Sequence, residues 1–130
     1  MLETIAERES HSLSFDPAKN RLYLTIAGKY LPGSSTFVQD WKKARHLVSP
    51  GFTVLTDVSQ IQLLPLDWIV ISTKVQETFI EAGLAGTAEI LSESVVAEKQ
   101  INTISWGSGI KKRVFTKRKA AETWLDSIST

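Results

Sequence analysis

Two short runs near the start of the chain alternate between apolar and polar residues. Leu13 and Phe15 share one side of His11-Ser-Leu-Ser-Phe15, and Leu22, Leu24 and Ile26 share one side of Arg21-Leu-Tyr-Leu-Thr-Ile-Ala27. A period of two puts such residues on one face of a strand. Between the runs, Asp16-Pro-Ala-Lys-Asn20 is rich in turn formers, and Asn20 suits a left-handed backbone. The pair predicts an antiparallel hairpin. Residues 1–10 are polar and predict a flexible N-terminus, which leaves 11–130 as a single folded domain.

After Gly28 the period changes. Phe37, Trp41, Ala44 and Val48 recur at steps of three and four, predicting an amphipathic helix over Thr36–Val48 that Ser49-Pro-Gly51 stops. Phe52-Thr-Val-Leu-Thr-Asp57 reads as a buried strand ending in a carboxylate. Pro65 opens a second helix with the stripe Trp68, Ile71, Val75, Phe79 and Ala82, and Gly83 ends it. Gly86–Leu91 follows as a strand, Ser94–Ile104 as a third helix and Ile110–Phe115 as a last strand. Thr116 is placed to cap a final helix whose apolar face is Ala120, Ala121, Trp124, Leu125 and Ile128. The order β-β-α-β-α-β-α-β-α predicts the α/β class: a mixed sheet of four to five strands, parallel except at the N-terminal hairpin, with about four helices.

Composition narrows the function classes. The chain has 130 residues, 42% of them hydrophobic and 22% charged, which suits one globular domain. With no cysteine, disulfides, thiolate metal sites and cysteine nucleophiles are excluded; this fits a reducing, cytoplasmic setting. MLETIAERES does not read as a secretory signal, and no apolar run approaches the roughly 20 residues of a membrane span. Fifteen basic against fourteen acidic residues give a net charge of +1, which disfavours nucleic acid as a partner.

The element order, the turn Asp16-Pro-Ala-Lys-Asn20-Arg21-Leu-Tyr23 and the segment Pro50-Gly-Phe-Thr-Val-Leu-Thr-Asp57-Val-Ser59 resemble the STAS family, the sulfate-transporter and anti-sigma-factor-antagonist domains, and in particular its small bacterial members. The resemblance covers roughly residues 11–128 and implies a docking module for other proteins or for a small ligand. In the antagonist branch, a serine at the N-terminus of the helix after the central strand is phosphorylated. Here Pro65-Leu-Asp67 stands at that place and holds neither serine nor threonine, so the resemblance implies a module without the phosphoswitch. Asp67 brings to that helix N-terminus the kind of charge a phosphate would supply.

Ligands of open α/β sheets meet the carboxyl ends of the parallel strands, which makes Asp57, Ser59 and Asp67 the candidate binding surface. The bland reading of the same residues is an aspartate holding loop amides and another complementing a helix dipole. HExxH, the P-loop, GxGxxG and GxSxG are absent, and Gly107-Ser-Gly109 lacks the lysine of a phosphate loop. No carboxylate is spaced in sequence to make a metal pair with His11 or His46, the only histidines. Catalytic residues, metal and cofactor are therefore assigned to none. Lys111, Lys112, Arg113, Lys117, Arg118 and Lys119 form a basic segment, read as a solvated edge because no aromatics interleave it. Trp41, Trp68 and Trp124 are expected in the core, and Trp106 at the surface.

The reading is a non-enzymatic interaction module with an unidentified protein partner, and homodimerisation is left open. Two alternatives stand beside it: a carrier that holds a small apolar or lipid-like ligand between helices and sheet, and an enzyme of unknown class.

Overall fold

The alternation at the start of the chain is realised and extended by one strand. A computed structural model describes residues 2–7, 11–26, 35–57, 59, 77–90 and 111–128. They form β1 (Glu3–Glu7), β2 (His11–Asp16), β3 (Arg21–Ile26), α1 (Ser35–Arg45), β4 (Thr53–Asp57), α2 (77–81), β5 (Gly86–Ile90), β6 (Lys111–Phe115) and α3 (Arg118–Ile128). One six-stranded sheet runs in the order β1-β2-β3-β4-β5-β6. Pairing is antiparallel from β1 to β3 and parallel from β3 to β6. The mixed α/β sheet is as expected, whereas its strand number exceeds the expected four to five.

The additional strand is β1, taken from a segment expected to be flexible. Ala6 is buried and Ile5 packs against the core, while Glu3, Thr4 and Glu7 stay exposed. An edge strand with one covered face needs few apolar residues, so the polar composition concealed it. The helix expected over Ser94–Ile104 and most of the one opening at Pro65 lie outside the described residues, as do Trp68 and Trp106.

The hairpin turn depends on Asn20, whose φ of 52° is the left-handed value its type favours. The same side chain pins the α1–β4 connection. Its Nδ2 donates to the Ser49 carbonyl (2.9 Å), its Oδ1 accepts from the Ser49 amide (3.0 Å), and its own carbonyl accepts from Thr53 N (3.1 Å). α1 ends earlier than expected, because His46 N and Leu47 N bond back to Lys43 and Ala44, three residues behind, and tighten its last turn. At the other end of the chain α3 starts at Arg118, with the Lys117 carbonyl accepting from Ala121 N. Lys117, not Thr116, therefore holds the cap position.

Helices cover both faces. On one, Leu13, Phe15, Leu22, Leu24, Ile26 and Val54 meet Trp41 and Ala44 of α1 and Phe79 of α2. Trp41 and Phe52 both meet the Phe79 ring edge-on, at centroid distances of 4.6 and 5.4 Å. On the other face, Tyr23, Leu55, Ala88 and Ile90 meet Ala121 and Leu125 of α3. β3 and β4 are thus covered on both sides, which explains why Tyr23 is buried on the face opposite Leu22 and Leu24.

Candidate functional site

Four polar arrangements emerge from this frame. The first is the sequence candidate at the end of β4. Asp57 Oδ1 accepts from the Ser59 amide (3.0 Å) and the Ser59 hydroxyl (2.6 Å), a local turn in which aspartate and serine satisfy each other. Asp67, expected beside them, lies outside the described residues.

The second pairs residues that sequence spacing kept apart. His11 opens β2 and Asp40 sits in the middle of α1, yet His11 Nε2 lies 2.8 Å from Asp40 Oδ2 with both side chains buried. Sequence spacing offered His11 no carboxylate for a metal pair, and the fold brings Asp40 to it from 29 positions away as a hydrogen-bond partner. No group of three or more histidine, aspartate and glutamate side chains assembles into a metal site among the described residues. The pair thus ties the first helix to the sheet.

The third arrangement docks the last helix. The Arg21 guanidinium is wholly buried, donates to Thr53 Oγ1 (2.9 Å), and pairs with Glu122 (3.2 Å) and Asp126 (2.9 Å) on α3. Tyr23 Oη donates to Glu122 (3.1 Å), and Lys19 reaches the same two carboxylates from outside. Burial opposes the charge on Arg21, but Asp126, Tyr23 and Glu122 outweigh it and hold its pKa above the ordinary value. Burial and the bond to Glu122 push Tyr23 up to about 12.

The fourth lines a groove that is open to solvent. Beyond the packed stripe of α3, Ala120, Thr123, Trp124 and Ser127 form a second stripe at steps of three and four. They face Arg113 and Phe115 of β6 across a cavity of about 550 Å³, a size common for ligand sites, which Lys117 and Lys119 also line. Phe115 and Trp124 make its floor, their centroids 5.9 Å apart and their planes tilted by 50°. Arg113 is held with its guanidinium 5.5 Å from the Phe115 centroid. Arg118 belongs elsewhere, 5.4 Å above the Tyr23 ring.

This groove corrects two expectations. Phe115 lies inside the basic segment and Trp124 joins it from α3, so aromatics do interleave those cations. Trp124 is half-buried at the groove and Ala120 is exposed, so neither serves only the core. The missed signal was Phe115 inside the basic segment, whose side chain meets Trp124 of α3. No helix among the described residues is long and apolar enough to cross a membrane. No family model, no curated protein and no solved structure matches the chain.

Proposed function

We propose that this chain is a non-enzymatic interaction module of STAS-like type that binds an acidic protein partner through the groove between β6 and α3. The observation that carries it is the half-buried aromatic floor of Phe115 and Trp124, which Arg113, Lys117 and Lys119 flank. Aromatic residues and arginine are enriched at the centres of protein interfaces, inside a polar rim. Lysines alone would explain an edge strand protected against aggregation. An aromatic floor beside them works against that purpose, because it adds adhesive surface to the edge.

The experiment places a photo-reactive residue at Ala120, inside the groove, and separately at Leu47, which is exposed elsewhere. Protein adducts are expected in cells from position 120 only, and they should fade when Arg113→Glu and Lys117→Glu are added. Equal adducts from both positions, or none from 120, would overturn the reading.

A further inference from the structure

The shape of the groove bears on what the partner presents. β6 is the last strand of the sheet among the described residues, bound to β5 along Gly86–Ile90 and Lys111–Phe115. On the outer edge of such a strand, alternate amides and carbonyls point away from the sheet. α3 packs over β5 and β6. Its inner stripe, Ala121 and Leu125, sits on the sheet, while Ala120, Trp124 and Ser127 line the groove with Arg113 and Phe115 of β6. A strand added there would lie about 4.8 Å from β6, and its inward side chains would enter this space.

Charge selects among strands. Arg113 and Lys111 are exposed on β6, and Lys117 and Lys119 stand just beyond its end. A second copy of β6 would bring like charges face to face. Phosphate groups are less well served, because both groove hydroxyls already donate within α3: Thr123 Oγ1 to the Lys119 carbonyl (3.0 Å) and Ser127 Oγ to the Trp124 carbonyl (2.6 Å). What the groove offers is the Arg113 guanidinium beside Phe115, the ammonium groups of Lys117 and Lys119, and one apolar seat.

We propose that the partner contributes an extended acidic segment that adds a seventh strand to β6, seats one aromatic side chain on Phe115 and Trp124, and sets carboxylates against Arg113, Lys117 and Lys119. This rests on the reading of the groove as a protein-binding surface. Residues two apart on a strand are about 7 Å apart on one face, so the recognised pattern is acidic-x-aromatic-x-acidic. Arg113 meets one carboxylate through paired N–H groups, and backbone bonds to β6 supply sequence-independent affinity.

The test titrates the whole protein with an end-blocked peptide of pattern Glu-Thr-Phe-Thr-Glu, followed by calorimetry and by amide shifts. Binding should shift the amides of residues 111–115 and weaken with salt. It should fall roughly tenfold with Arg113→Glu, and likewise, on the unaltered protein, with a peptide N-methylated at alternate amides. Equal binding of the N-methylated peptide would overturn strand addition, and equal binding of a peptide with lysine for glutamate would overturn acidic selection. Tighter binding of a single-stranded oligonucleotide would overturn the choice of peptide. Salt-sensitive self-association abolished by Glu3→Lys and Glu7→Lys would assign the edge to β1 of a second copy and overturn the proposal. Adducts at position 120 without peptide binding would sink the strand and spare the protein-binding reading, whereas loss of both would sink both.

Discussion

Arg21 of β3 and Asp126 of α3 lie 2.9 Å apart, and solvent reaches the carboxylate but not the guanidinium. The asymmetry has an energetic consequence. A buried cation must be neutralised where it lies, whereas a half-exposed carboxylate is hydrated with or without its partner.

Asp126→Asn should therefore cost no more than about 1 kcal/mol, because Glu122 still faces Arg21. Glu122→Gln combined with Asp126→Asn removes both counter-charges and should cost about 3–5 kcal/mol, well beyond the sum of the single changes. Urea unfolding of the three variants measures the difference. Additive small effects would show that Arg21 does not need them.

Tyr23 is an acid whose pKa rises from 10.0 to about 12 on folding. The folded state therefore holds its proton more tightly than the unfolded state does. The stability this confers is complete below about pH 10 and lost as the pH climbs towards about 12. Tyr23→Phe should flatten the alkaline stability profile over that window, because it removes the titrating hydroxyl. Equal slopes in wild type and variant would contradict the effect.

His11→Leu keeps the approximate volume but leaves the buried Asp40 Oδ2 facing a methyl group. A loss of about 1–3 kcal/mol is expected by thermal or urea unfolding, the usual cost of removing one partner of a buried hydrogen bond. Asp40→Asn retains a hydrogen-bonding group towards His11 and should cost less.

Gly83 combines a φ of 98° with a close approach: a Cβ there would meet Pro50 Cα at 2.9 Å. Backbone cannot step aside as a flexible side chain can. Gly83→Ala should thus destabilise by roughly 1–3 kcal/mol, the joint result of a left-handed alanine and a displaced loop. Gly51 has a φ of 90° with open space around its would-be Cβ. Gly51→Ala meets only the backbone strain and should cost less, which separates the two causes.

Much of the fold was legible because it is written in local periods. The alternation over 11–15 and 21–26 places β2 and β3, and Asn20 marks the left-handed turn between them. Gly83 marks the end of α2, and the run over residues 52–57 marks β4. β1 was missed because a strand at the edge carries only Ile5 and Ala6 against the core. Of the candidate site, Asp57 and Ser59 lie where the end of β4 was expected, and their turn is short-range and readable from sequence.

The sequence by itself determined which residues share a face, where the chain turns, and that the parallel strands follow an antiparallel start. Each of these depends on neighbours a few positions apart. Tertiary structure alone decided that Asp40 reaches His11 across 29 positions and that Glu122 reaches Arg21 across 101. It also decided that α3 returns beside β6, so that Phe115 and Trp124 share one groove. These meetings follow from the order of strands and the side on which each helix returns. A periodic pattern fixes the face a residue occupies but not what the folded chain brings against that face.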